Sequence, residues 1–174
     1  MGWVIERATG KRYAELVTEL LWRPMGADRS AYITVDRLGA PRCAGGICAT
    51  TRDLARLGLL LSDGGAYAGK QIVPLTWIED ILTRGDAEAW NIGDLEKYYI
   101  QMPMHYRSKW YVLRGSERMM FAMGVFGQNL FIDRKNQVVI AKLSSHELPM
   151  DSKQILLTMR GIEAIRRHLV ASHA

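Results

Sequence analysis

Two cysteines in 174 residues exclude a disulfide-built fold. Cys43 and Cys48 frame the string C-A-G-G-I-C, which is neither a C-x-x-C redox pair nor half of a four-ligand zinc site. The expectation is two reduced, half-buried thiols in a cytoplasmic protein. His105, His146, His168 and His173 show no H-x-x-x-H or H-E-x-x-H spacing, so neither a metal nor a cofactor is expected. No run of about 18 apolar residues occurs, and no membrane span is predicted. The opening MGWVIERATGKRY lacks the basic, apolar and small-residue order of a secretory signal. Formal charge is +5 with a pI near 9.4, yet Arg and Lys are scattered from Arg7 to Arg167. Only Arg166-Arg167-His168 is locally dense, on a predicted terminal helix. A nucleic-acid surface needs clustered basic residues with stacking partners, so no such partner is expected.

What is present fits an ordinary globular chain: 48% apolar residues, 24% charged, and enough length for one domain spanning 1–174. Gly2 to Arg7 reads as the end of a helix, with Thr9-Gly10 as its stop. A second runs from Lys11 to Trp22, with Tyr13, Leu16, Val17, Leu20 and Leu21 inward. Tyr32 to Val35 reads as a short strand. Pro74 opens a helix to Leu82. Arg84 to Pro103 reads as a long loop, equally suited to a lid or to a surface excursion anchored by Trp90. Four strands follow, over Lys109–Leu113, Met119–Val125, Asn129–Asp133 and Val138–Ser144, with a hairpin connection at Asp133–Asn136. Asp151 or Ser152 caps a final helix carrying Ile155, Leu156, Met159, Ile162, Ile165 and Leu169 at helical spacing. The sum is a mostly antiparallel sheet with that helix across one face.

One stretch is more specific than the rest, PRCAGGICATTRDLARLGLLLSDGG from Pro41 to Gly65. Gly45-Gly46 makes a turn that allows close backbone approach. Thr50 and Asp53 form a helix-start pair, Leu54, Leu57 and Leu61 share one face, and Gly64-Gly65 stops the helix. This string resembles the AGG-x-x-[ST]-x-x-D-L-A-R-x-G-x-x-L segment of serine hydrolases of the β-lactamase and penicillin-binding-protein family, most of all its 6-aminohexanoate-dimer hydrolase branch. Trp22-Arg23-Pro24-Met25-Gly26 is similar to that family's "PLG" helix stop. Gly124 to Asn129 sits where the family carries its third motif, K-T-G or H-x-G.

The resemblance implies an α+β fold: the C-terminal portion of a β-lactamase-like fold, an antiparallel sheet with flanking helices and a closing C-terminal helix. The family's nucleophile lies in S-x-x-K, where Lys helps deprotonate Ser. No serine here has Lys three residues on. The second motif, Tyr-x-Asn or Tyr-x-Ser, is matched only by Tyr106 with Ser108, in the unfitting context YRSKW. The expectation is therefore a partial domain with no catalytic residue of its own. Its parent would be a serine amidase or esterase acting on linear amides or esters through an acyl-enzyme.

By resemblance, Val125, Phe126, Gly127 and Gln128 form an oxyanion and substrate wall. A backbone N–H in such a wall stabilises the transition state by about 3 to 4 kcal/mol. Phe126 stands where relatives place Lys or His, which points to a less charged substrate than a penicillin. Gly45, Gly46 and Cys48 form the second candidate wall. Trp90, Tyr98, Tyr99, Tyr106, Trp110 and Tyr111 are weighed as tunnel borders against ordinary core anchors. Asp53 and Arg56, at i and i+3, read as a cap and a surface ion pair. The implied partner is a small amide or ester, with homo-oligomerisation left open. The rival reading is a non-catalytic interaction module or pseudoenzyme remnant of the same fold, offering an open sheet edge.

Overall fold

The computed structural model describes residues 2–99, 102–115 and 118–172. Residues 100–101 of the expected loop and His173 lie outside this range. The backbone begins with helices α1 (Gly2–Thr9) and α2 (Tyr13–Val17), and α2 passes directly into a π-helical turn over Thr18–Trp22. The single amphipathic helix expected over Lys11 to Trp22 is thus two segments of different winding. Leu20, expected inward, is exposed. Pro24 and Gly26 end the run as the sequence requires, Gly26 in a left-handed turn at φ 72°.

Strands β1 (Tyr32–Ile33) and β2 (Ile47–Cys48) form a two-stranded pair. Helix α3 (Thr51–Ser62) follows. Thr50 caps it, its hydroxyl accepting from the Asp53 N–H at 3.0 Å and donating to the Asp53 carboxylate at 2.7 Å. A small hairpin, β3 (Ala66–Tyr67) with β4 (Lys70–Gln71), leads to helix α4 (Leu75–Thr83). The segment expected as a loop holds helix α5 (Ala87–Asn91) and a 3-10 turn at Glu96–Tyr98. Asp86 caps α5 by accepting from the Glu88 and Ala89 amides.

The main sheet has five antiparallel strands in sequence order: β5 (Met104–Arg107), β6 (Trp110–Leu113), β7 (Met119–Gly124), β8 (Gln128–Asp133) and β9 (Val138–Lys142). Strand β5 was not expected from the sequence. Ser108 and Lys109, both at positive φ, make the tight turn between β5 and β6. The Asp133–Asn136 connection is as expected, with the Asp133 carboxylate accepting from the backbone and side chain of Asn136. Helix α6 (Ser152–Ser172) closes the chain, and the Asp151 carboxylate accepts from the Lys153 and Gln154 amides at its start.

Two apolar clusters sandwich the sheet. Leu61, Ile78, Ile81, Val112, Met120 and Leu130 belong to the one under α3 and α4. Trp90, Tyr99, Met104, Tyr111, Phe121, Phe131, Met159 and Ile162 form the other, under α6. Phe121 stacks on Phe131 with centroids 5.1 Å apart. Helix α3 lies so close to the sheet at Gly58 that a Cβ there would strike Val139 and Leu130. Its C-terminal end is tied to the β8–β9 turn by Arg134, which donates to the Ser62 carbonyl. The N-terminus of α3 therefore points toward the Gln128 end of β8. No described helix is long and apolar enough to cross a membrane.

Candidate functional site

Strands β7 and β8 pair as far as Gly124 opposite Gln128, which leaves Val125, Phe126 and Gly127 to reverse the chain. So short a reversal needs left-handed backbone. Gly127 adopts φ 83° without steric cost, but Phe126 holds φ 62°, which costs a residue with a Cβ about 1 to 2 kcal/mol. Neighbouring groups hold that conformation. The Phe126 N–H donates to the Pro149 carbonyl at 3.0 Å, and the His146 N–H donates to the Phe126 carbonyl at 3.1 Å. Lys142 Nζ donates to the Gly127 carbonyl at 2.7 Å. Because the Phe126 amide is already engaged, any oxyanion donor in this wall has to be another amide. The side chains of Val125 and Phe126 are exposed.

A narrow cavity opens beside the turn, lined by Gly124, Gly127, Asn129, His146, Asp151 and Gln154 among others. Its free space is about 20 Å³, enough for roughly one water molecule. The His146 ring closes over Gly127 so tightly that a Cβ at 127 would overlap it. Lys142 Nζ lies 3.4 Å from His146 Nε2, and burial pushes the Lys142 ammonium below its usual basicity. A primary amine, an imidazole and a fixed carbonyl thus meet at the base of the turn. Behind them the Tyr99 hydroxyl donates to Met123 Sδ, and burial pushes Tyr99 well above the ordinary phenol range.

The residues of the other expected wall lie outside this cavity. Gly45 turns at φ 89°, and a Cβ on buried Gly46 would collide with the Arg42 carbonyl. Cys48 is exposed on β2, opposite Tyr32. The loop reaches α3 through Thr50, and α3 points it toward Gln128. Neither Gly45, Gly46 nor Cys48 lines the cavity at Gly127. Trp90, Tyr99, Trp110 and Tyr111 are buried core, Tyr99 also lining the cavity at Gly127, while Tyr106 is partly exposed against Tyr111.

Asp53 is not part of a surface ion pair. Its side chain is fully buried, accepting from Arg56 at 2.8 Å and from the Asp28 amide at 2.8 Å, and Arg56 also reaches the Asp28 carboxylate at 2.9 Å. The Thr50 hydroxyl first, then the Asp28, Arg56 and Arg29 donors, hold its carboxyl down to about 2. This hub fastens residues 28–29 to α3. Among the described residues, no group of three or more His, Cys, Asp and Glu is placed to hold a metal ion.

With a five-stranded antiparallel sheet, a capped helix on one face, a C-terminal helix on the other and a strained turn at the sheet end, the architecture defines a family. The β-lactamase family model matches residues 1–160, and the chain belongs to that family. It is 37% identical over 172 residues to a 6-aminohexanoate-dimer hydrolase of Paenarthrobacter ureafaciens, covering 95% of this chain and 43% of that one. A candidate 6-aminohexanoate-dimer hydrolase of Bacillus anthracis superposes with a TM-score of 0.82 at 32% identity, over 97% of this chain and 41% of that one. A candidate β-lactamase of Bacteroides dorei matches in fold alone, with a TM-score of 0.60 at 18% identity, over 91% of this chain and 54% of that one. The chain thus spans about two fifths of the length of its 6-aminohexanoate-dimer hydrolase relatives.

Proposed function

We propose that this chain provides the sheet and part of the substrate-facing wall of a serine hydrolase that cleaves linear amides or esters through an acyl-enzyme. The attacking serine and its lysine belong to sequence outside these 174 residues. One observation carries this reading. The Val125–Gly127 turn is held in a strained shape by three separate groups beside a small cavity of mixed polar and apolar lining, in a chain of this family without S-x-x-K. Oxyanion stabilisation requires backbone donors fixed in advance, and a turn pinned at Phe126 and Gly127 meets that need. In the proposed reaction the serine oxygen bonds to the substrate carbonyl carbon, and the resulting oxyanion rests against an amide of this wall other than Phe126. The lysine takes the serine proton during attack and passes it to the amine or alcohol as the C–N or C–O bond breaks, and water then hydrolyses the acyl-serine ester to the acid and free serine.

Phe126 gives the wall an apolar face, which favours a linear amide or ester with no charge next to the scissile bond over a penicillin carboxylate. Gly45, Gly46 and Cys48 form the facing wall in this reading, with the nucleophile-bearing part filling the space between the two. A fluorophosphonate probe checks the division of labour. The isolated chain is expected to form no adduct, whereas adding the S-x-x-K portion of a relative restores labelling and hydrolysis of 6-aminohexanoate dimer. A stable adduct on the isolated chain would overturn the reading.

A further inference from the structure

We propose that the cavity beside Gly127 is a binding site for one ordered water molecule, and that Asn129, acting through this water, is a positioning residue for the Val125–Gly127 turn. Alternation along β8 turns Asn129 to the same face as Phe131, the face covered by α6. There its side chain is only 9% exposed, yet its amide makes no hydrogen bond among the described residues. Strand register explains why. Its cross-strand neighbours are Met123 on β7 and Lys142 on β9. Met123 Sδ already accepts from the Tyr99 hydroxyl, and Lys142 Nζ is spent on the Gly127 carbonyl and His146 Nε2. A buried amide without partners is costly, so native proteins satisfy such groups with protein or with water.

The cavity supplies the place for the water and its remaining partners. Among the described residues, the unpartnered side-chain polar atoms that are wholly sealed are Ser62 Oγ and Trp90 Nε1. The Asn129 amide therefore touches open space, and the cavity it lines is that space. A free volume of about 20 Å³ exceeds the roughly 10 to 15 Å³ that a water needs and excludes a larger ligand. The His146 ring and Thr158 line the same space. An ammonium can only donate, so Lys142 makes His146 Nε2 an acceptor and leaves the ring proton on Nδ1, with no acceptor for it among the described residues. The water accepts from His146 and donates to Asn129 Oδ1 and Thr158 Oγ1, three partners being usual for an internal water. The Lys142 ammonium so close to the ring disfavours a metal cation in the same place. A water bound in this way ties β8 and α6 to His146, whose N–H holds the Phe126 carbonyl. The site does not depend on the hydrolase reading.

Water-oxygen magnetic relaxation dispersion counts the long-lived internal waters of this chain. Asn129→Leu, which keeps the size of the side chain and removes its polar atoms, should hold one fewer than the parent. Asn129→Asp, which retains an acceptor, should hold the same number, as should Ser62→Ala, which removes a sealed polar group outside the cavity. Amide hydrogen exchange reads the positioning role. In Asn129→Leu the Phe126 and His146 amides should exchange at least about tenfold faster, with sheet amides such as Phe121 unchanged. An equal count in the parent and Asn129→Leu overturns the water site. So does a crystal structure in which the Asn129 amide bonds directly to His146 or Thr158. Loss of the water with unaltered exchange at Phe126 and His146 overturns the positioning role. A measurement on the parent needs no variant to fold: the Asn129 side-chain amide protons should show cross-relaxation to water with the sign of a molecule tumbling with the protein. Absence of that signal also overturns the site.

Discussion

Both apolar clusters draw all their buried members from Leu61 to Ile162, whereas residues 2–50 bury a single large apolar side chain, Met25. The two regions are held by different forces. The later one is a sheet with apolar layers on both faces, where side chains such as Phe121, Ile132 and Ile78 are wholly removed from water. The earlier one is fastened by polar contacts, chiefly the Asp28 amide and the Arg56 bridge to Asp28 that converge on Asp53. A region attached in this way keeps its shape through a few directional bonds. It is therefore sensitive to the loss of one of them and indifferent to trimming of its exposed apolar surface.

Substitutions can break that contrast or sharpen it. Phe121→Ala empties the centre of the aromatic layer and should cost about 4 kcal/mol by urea denaturation. A cost below 1 kcal/mol would mean the sheet is not the stable half. Asp53→Ala leaves Arg56 and two backbone amides without their acceptor and should cost about 3 kcal/mol. The signature of that loss is faster hydrogen exchange at Asp28 and Arg29 than at sheet amides. The same carboxylate makes a pH prediction. Its folded value near 2 lies below the ordinary 3.8, so its contribution is complete above about pH 4 and fades as pH falls toward 2. The Asp28 amide resonance should titrate with it.

Gly127→Ala places a methyl group against the His146 ring at a left-handed position and should cost about 2 kcal/mol, with displaced His146 ring resonances. Lys142→Met removes one donor from the Gly127 carbonyl and should cost about 1 kcal/mol. Leu38→Ala, at a fully exposed position, should stay within about 0.5 kcal/mol of the parent. A larger loss would show that this region carries a core of its own.

The legible parts of the fold were those written in local sequence. Thr50, Asp53 and the leucines at 54, 57 and 61 announce α3, and Asp151 announces α6, because caps and helical periodicity are short-range signals. Strands β6 to β9 were recognised from apolar runs between turn residues. Strand β5 was missed because Met104–Arg107 mixes Met, His, Tyr and Arg, and it becomes a strand through pairing with Trp110–Leu113. Helical spacing points Leu20 inward, but the switch to π winding at Thr18 alters which residues share a face.

The turn over Gly124–Gln128 is legible in the sequence, and its surroundings are not. Lys142 and His146 lie far along the chain and reach Gly127 only through strand register. That register carried a usable signal. Once Asp133–Asn136 is taken as the hairpin connection, counting back sets Lys142 opposite Asn129 and hence beside Gly127. Asp53 is the opposite case, since local spacing accounts for its pairing with Arg56 but not for the Asp28 amide that encloses it.

Gly58 has a consequence for the geometry of any cleft at the sheet end. The missing methyl group there sets the distance between helix and sheet, so position 58 acts as a shim. A helix of twelve residues is a stiff rod about 18 Å long. An alanine at this point would tilt or lift the rod, and the motion would be delivered to its far tip, where Cys48 and the paired glycines are carried. The position of that tip relative to the sheet is thus adjustable from a site buried midway along the helix, with no change to any residue of the tip itself.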